Sequence, residues 1–108
     1  MLFRSRPPRV VAPPRFPVAL RDLAVAVDEA TPYGDVEREI RAAGGKDLES
    51  VALLDLYRGQ QTGAGKKSFA VRLTFRSASG TLAEADVERL VKRVVGRLQH
   101  ALGATIRG

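Results

Sequence analysis

The residues best suited to hold a ligand lie between Asp55 and Arg76, and their types favour nucleic-acid contacts over catalysis. From residue 67 to 76 the chain alternates one set, Lys67, Phe69, Val71, Leu73 and Phe75, with a second set, Ser68, Ala70, Arg72, Thr74 and Arg76. Successive strand side chains point to opposite faces, so the alternation predicts a strand with one apolar face and one open face. An aromatic ring, a hydroxyl and basic side chains on an open sheet face are suited to single-stranded nucleic acid.

The preceding segment, from Leu48 to Arg58, is predicted to be the neighbouring strand of a hairpin. Its alternation predicts an open face formed by Val51, Leu53, Asp55 and Tyr57 and a core face formed by Ala52, Leu54 and Leu56. Tyr57 would then lie beside Ser68 of the next strand, because opposite residues of paired strands are near neighbours.

The charge distribution supports a polyanionic partner. The 108 residues carry a net charge of +6, and no acidic residue occurs between Asp55 and Glu84, where the basic residues are Arg58, Lys66, Lys67, Arg72 and Arg76. Such polarised charge suits a polyanion, although a solvated basic surface would have the same composition.

Several kinds of chemistry are excluded by residue type. The chain has no cysteine and one histidine, His100, which excludes disulfides, thiolate metal sites and histidine clusters. His100 falls late in the second predicted helix with no partner in sequence, so we expect it to be a surface residue and not part of a Ser-His-Asp triad. The glycines between Gly59 and Lys66 do not form a phosphate-binding P-loop. Their spacing is wrong, and a strand follows them instead of a helix N-terminus.

Two segments differ in composition. Residues 1–16 are rich in proline and arginine and predict an extended linker, whereas residues 17–108 predict one folded domain. No apolar run is long enough for a membrane span, and we expect a cytoplasmic protein without membrane contact.

The domain is predicted to be α+β, with the element order βαββαβ of a ferredoxin-like sandwich. Right-handed crossovers place both helices on one face of a four-stranded antiparallel sheet with strand order 4-1-3-2. The uncovered face would carry small, polar and basic side chains, namely Ala24, Ala26, Tyr57, Ser68, Ala70, Arg72 and Arg107.

Five short motifs together resemble the ferredoxin-fold anticodon-binding domain at the C-terminus of bacterial phenylalanyl-tRNA synthetase beta subunits. They are Phe16-Pro17-x-x-x-Arg21-Asp22-Leu23-Ala24, Leu54-Asp55-Leu56-Tyr57-x-Gly59, Gly65-Lys66-Lys67-Ser68-Phe69, Thr81-Leu82 and Gly103-Ala104-Thr105-Ile106-Arg107. Each motif is weak alone, but their order and spacing over residues 16–108 are specific.

The resemblance implies a non-catalytic role in holding the anticodon stem-loop of phenylalanine tRNA. It places the family-like contacts at Ala24, Tyr57 and Ser68, with Arg107 nearby. It implies no cofactor in this domain, since the aminoacylation site, with its ATP and magnesium, would lie elsewhere in the synthetase. The implied protein partners are the alpha subunit and the rest of the beta subunit.

The predicted RNA-binding residues are Ala24, Tyr57, Lys66, Lys67, Ser68, Arg72 and Arg107. Tyr57 would stack on one unpaired base, because the open face lacks the aromatic pair of a typical RNA-recognition sheet. Ser68 and backbone groups beside Ala24 would bond base edges, and the basic residues would meet phosphate or ribose.

Two other readings of the fold are possible. A protein-interaction module that braces a larger synthetase is the main alternative. An acylphosphatase-like enzyme is disfavoured, because the segment after the first strand, residues 28–32, is acidic where phosphate would bind.

Overall fold

The computed structural model describes residues 16–59 and 64–108, which form four strands and two helices. The elements are β1 (Ala19–Asp28), α1 (Tyr33–Gly44), β2 (Leu48–Arg58), β3 (Lys66–Phe75), α2 (Glu84–Leu102) and β4 (Thr105–Arg107), with a short 3-10 turn at Gly45–Asp47 between α1 and β2. The predicted linker, residues 1–16, lies outside the described residues except for Phe16. None of the described helices is long and apolar enough to cross a membrane.

The strands form one antiparallel sheet in the order β2-β3-β1-β4, which confirms the predicted ferredoxin-like α+β topology. The alternation in β3 has the predicted effect, and β1 behaves in the same way: one parity of each strand is buried in the same core as the apolar stripes of both helices. Fully buried examples are Val25 and Leu73 from the sheet and Ile40 and Leu98 from the helices. Each such side chain contributes about 1.5–3 kcal/mol by leaving water, so both helices are held on one face of the sheet.

The face assignment predicted for the first part of β2 is wrong because the strand contains two bulges. Its pairing with β3 shifts register at Glu49 and again at Leu54. Each bulge adds one residue and reverses the parity of those that follow. Val51 and Leu53 therefore share the face of the helices, and Ala52 lies on the open face.

After the second bulge the predicted parity is restored. Asp55 lies opposite Ala70, and Tyr57 lies directly opposite Ser68. The second bulge therefore places Tyr57 on the uncovered side of the sheet.

Two glycines fix the helix ends that lead into the edge strands. Gly103, with φ of 62°, ends α2 in the left-handed conformation that glycine adopts most easily, and its N–H donates to the carbonyl of Gln99 at 3.1 Å. Gly44 is the last residue of α1, and a Cβ added there would lie 2.7 Å from the Cβ of Leu48. The absence of a side chain at residue 44 thus lets β2 begin directly beneath α1.

Candidate nucleic-acid interface

A cleft of about 300 Å³ opens on the uncovered face of the sheet and draws on all four strands. It is lined by Ala24, Ala26, Tyr57, Lys66, Ser68, Thr105 and Arg107. Its volume is at the lower limit of ordinary ligand pockets, which suits one small planar group better than an extended ligand.

Strand register explains why these residues meet. Tyr57, Ser68, Ala26 and Thr105 are successive cross-strand partners and form one row across β2, β3, β1 and β4. The next row in the same order is Asp55, Ala70, Ala24 and Arg107. The middle of both rows consists of small residues, so the floor of the cleft is shallow and its two ends carry the larger side chains.

Tyr57 is the aromatic side chain at one end of this cleft. The residue is 51% exposed, so its ring is available for stacking. Its hydroxyl hydrogen-bonds the Asp55 carboxylate, and this bond together with the negative charge of Asp55 raises the pKa of Tyr57 above its usual value. The ring therefore stays neutral at physiological pH.

Asp55 was absent from the predicted binding set, although a signal for it existed in the sequence. It precedes Tyr57 by two residues and has the same parity, which places it on the same face. Its carboxylate is exposed beside the ring and is an acceptor for the N–H groups of a base edge.

Ser68 lies at the centre of the first row and is only 7% exposed. Its hydroxyl makes no hydrogen bond within the described ranges 16–59 and 64–108, which leaves it able to bond a ligand in the cleft. Ala24 lies between β3 and β4, so its backbone belongs to the strand ladders and its methyl group is what the cleft presents.

Two of the predicted basic residues are already paired with acids on the open face. Arg72 donates from Nε and Nη2 to the two carboxylate oxygens of Asp22 at 2.8 and 2.9 Å. This hydrogen bonding lowers the pKa of Asp22 and raises that of Arg72. Lys66 likewise donates to Asp28 at 2.8 Å.

Arg107 differs from these two cations. It is exposed at the other end of the cleft from Tyr57, and it forms no ion pair with any residue in the described part of the chain. Among the basic residues lining the cleft, it is the one whose charge is available to a phosphate.

Lys67 is not brought together with the other predicted residues. Its side chain follows the apolar parity of β3, is 8% exposed, and places its ammonium 5.2 Å from the centroid of the Phe69 ring. The aliphatic stem of lysine packs well on such a surface, and the ring face attracts the cation. Lys67 therefore lies on the helix side of the sheet, opposite the cleft.

Three contacts hold the end of the β2–β3 hairpin against the end of β1 and the turn that follows it. Arg58 donates to Glu29 at 2.7 Å, the Glu29 N–H donates to the Gly65 carbonyl at 2.9 Å, and the third is the Lys66–Asp28 pair. The hydrogen bond from Arg58 lowers the pKa of Glu29. We call these three contacts the hairpin clasp.

The described residues include no candidate metal site. They contain no group of three or more histidine, cysteine, aspartate or glutamate side chains placed to hold a metal ion. The geometry instead defines a ferredoxin-like α+β domain with an uncovered sheet face and a shallow cleft, a surface on which proteins commonly bind unpaired bases.

The chain belongs to the ferredoxin-fold anticodon binding domain family, whose sequence model matches residues 14–107. It is 45% identical over 98 residues to the phenylalanine–tRNA ligase beta subunit of Geobacter sulfurreducens and 43% identical over 94 residues to that of Clostridium acetobutylicum. These alignments cover 91% and 87% of this chain and 12% of each relative. The beta subunit of Nocardia farcinica is 39% identical over 107 residues, covering 99% of this chain and 13% of the relative.

The chain thus spans about an eighth of the length of these relatives. Because the matched part is the anticodon-binding domain of a ligase subunit, the chain by itself is a non-catalytic domain.

Proposed function

We propose that this domain binds the anticodon stem-loop of phenylalanine tRNA as part of a phenylalanine–tRNA ligase beta subunit. The family and the relatives support an anticodon-binding role. The observation that carries the proposal is the row from Tyr57 through Ser68 and Ala26 to Thr105, which opens a one-base cleft on the uncovered face.

In this binding mode one unpaired base enters the cleft. Tyr57 stacks on the base, a contact worth about 1–3 kcal/mol. The Ser68 hydroxyl and the Asp55 carboxylate bond its edge, and the Ala24 methyl lies against its face. Arg107 contacts the adjoining phosphate or ribose, and this contact positions the loop without reading sequence.

The remaining predicted cations have lesser roles. Lys66 is part of the cleft wall and pairs with Asp28, and Arg72 lies at the border of the cleft and pairs with Asp22. Both ion pairs leave little net positive charge for a phosphate. Lys67 is left out of the interface because it lies on the other side of the sheet.

The larger assembly is part of the same proposal. The domain would act in the cytoplasm together with the alpha subunit and the rest of the beta subunit. This assembly is supported by relatives that are named as beta subunits of phenylalanine–tRNA ligase. Aminoacylation, with its ATP and magnesium, would take place outside this domain.

The test is a titration of the protein with a phenylalanine anticodon stem-loop and with a stem-loop of scrambled loop sequence. Loss of the stacking contact predicts that Tyr57→Ala weakens binding by about 5- to 150-fold, from the free energy of one stacked base. Phe16→Ala is the matched control, because Phe16 is also an exposed aromatic residue, 40% exposed, but does not line the cleft. Equal affinity for the scrambled loop would refute recognition.

A second candidate role, protein interaction within a larger synthetase, is favoured by one observation. Leu53, Leu54 and Leu56 of β2 are 44%, 48% and 38% exposed, which is unusual for three leucines so close together. If this role is the main one, Leu56→Ser should disturb assembly with the rest of the subunit and leave stem-loop binding unchanged. If Tyr57→Ala instead weakens stem-loop binding and leaves assembly unchanged, the RNA-binding role is supported.

A further inference from the structure

The proposed stacking residue, Tyr57, lies in an exposed part of the sheet that has few neighbouring elements. β2 is an edge strand, and every residue from Ala52 to Arg58 is exposed. Within the described residues, β3 is the only strand that pairs with β2 and therefore the only one beside Tyr57. A side chain in such a place needs another restraint if it is to present its ring in one position.

The hairpin clasp supplies that restraint. One of its contacts, the Arg58–Glu29 ion pair, begins at the residue next to Tyr57. Arg58 lies on the helix side of β2, opposite Lys67 of β3. Its Nε and Nη2 atoms both reach Oε1 of Glu29 at 2.7 Å, which ties β2 to the turn after β1. The Arg58–Glu29 pair therefore bridges over β3 and holds the outer strand to the centre of the domain.

The other two contacts hold the neighbouring strand end to the same turn. Lys66 pairs with Asp28 on the open side, and the Glu29 N–H bonds the Gly65 carbonyl. The end of β1 and the turn after it are thus held to the hairpin from both faces of the sheet, and Glu29 takes part through its side chain and its backbone.

We propose that Glu29 is a positioning residue for the RNA site: by holding Arg58, it fixes the end of β2 and the ring of Tyr57 before RNA arrives. This inference rests on the proposed function. Binding immobilises groups that were mobile, and a group fixed in advance avoids that entropic cost. Glu29 itself bonds Arg58 on the helix side and is not one of the residues that line the cleft.

The direction in which RNA affinity changes distinguishes a positioning role of Glu29 from a purely electrostatic one. Replacing Glu29 by Gln removes a negative charge from a domain that binds a polyanion, and long-range attraction would then tighten binding. A positioning role predicts weaker binding instead, because Arg58 loses its ion pair with Glu29 and the end of β2 becomes mobile.

Glu49 provides a matched control for the charge change. It pairs with Arg76 at 2.6 Å at the opposite end of β2, far along the strand from Tyr57. Glu49→Gln changes the net charge by the same amount as Glu29→Gln and also breaks an exposed ion pair. A double variant, Glu29→Arg with Arg58→Glu, keeps the net charge and restores an ion pair of opposite direction.

The experiment measures stem-loop affinity and amide hydrogen exchange of residues 56–58 in the full 108-residue chain. We expect Glu29→Gln to weaken binding about threefold, the scale of an exposed ion pair, and to speed exchange at these amides. Glu49→Gln should bind as tightly as the unchanged chain or more tightly, with exchange at residues 56–58 unaffected. The charge-swapped double variant should recover both affinity and protection.

Affinity of Glu29→Gln equal to or greater than that of the unchanged chain would overturn the positioning role, as would failure of the double variant to recover. If instead Tyr57→Ala binds like the unchanged chain, the proposed RNA site is wrong, whatever the behaviour of Glu29. The exchange measurement needs no RNA and reports separately on whether the clasp holds the strand.

Discussion

The salt dependence of RNA binding should be much weaker than the basic composition of the chain suggests. Across the described strands, the open face carries three cations, Lys66, Arg72 and Arg107, and three carboxylates, Asp22, Asp28 and Asp55. Two of the cations are held in ion pairs at 2.8 Å. Only the third is available to displace counterions from a phosphate.

The size of this effect follows from counterion release. Each phosphate neutralised on a single strand contributes about −0.7 to the slope of log affinity against log salt concentration. One contact through Arg107 would weaken binding about threefold between about 50 and 200 mM salt, whereas three phosphate contacts would weaken it about twentyfold. Arg107→Gln should therefore lower the magnitude of the slope by about 0.7, and Arg72→Gln and Lys67→Ala should leave it unchanged.

The assay is a stem-loop titration at four or more salt concentrations for each variant. Comparing slopes between variants matters more than the absolute slope, because Arg4, Arg6, Arg9 and Arg15 lie outside the described residues and are common to all variants. A loss of slope in Arg72→Gln as large as that in Arg107→Gln would refute the view that ion pairing removes Arg72 from phosphate binding.

Two further predictions concern stability. Gly44→Ala should destabilise the fold in urea denaturation, because overpacking against β2 costs about 1–3 kcal/mol and exceeds the roughly 1 kcal/mol that alanine adds to a helix. Gly96→Ala in α2, where an added Cβ meets no atom within 4 Å, should stabilise instead, and equal effects of the two changes would contradict the packing argument. The pKa of Asp22 is lowered by its bond to Arg72, so this pair stabilises the fold above the unfolded carboxyl pKa of about 3.9 and is lost as pH falls through the lower folded value. The melting temperature should therefore fall below about pH 4, and Asp22→Asn should show less of this fall.

The sequence was sufficient to predict the order of elements, the strand order and the faces of β1 and β3. Alternation in those two strands leaves one arrangement that buries most of their valines, leucines and phenylalanines, although Leu20 stays 48% exposed on the open face. The same logic failed in the first half of β2, because a bulge adds a residue without leaving a clear signal in sequence. Tyr57 was nevertheless placed correctly, since the two bulges at Glu49 and Leu54 cancel each other's shift in parity.

The charge pairing of the open face could not be predicted locally. Asp22 and Arg72 are 50 residues apart in the chain and meet because β1 and β3 pair in one particular register. Counting basic residues between Asp55 and Glu84 therefore did not reveal that Arg58, Lys66, Arg72 and Arg76 are held in ion pairs. The side of the sheet on which Lys67 lies, in contrast, was already indicated by its parity in β3. The structure shows how a lysine can occupy that apolar side by packing on Phe69.

The two bulges of β2 also affect how the domain behaves in concentrated solution. A long edge strand with exposed leucines would ordinarily recruit another strand and grow into extended aggregates. Irregular spacing at Glu49 and Leu54 interrupts the regular order of backbone groups along that outer edge, so a second strand would meet no continuous register. We therefore expect the same irregularity that places Tyr57 in the cleft to disfavour fibrillar self-association.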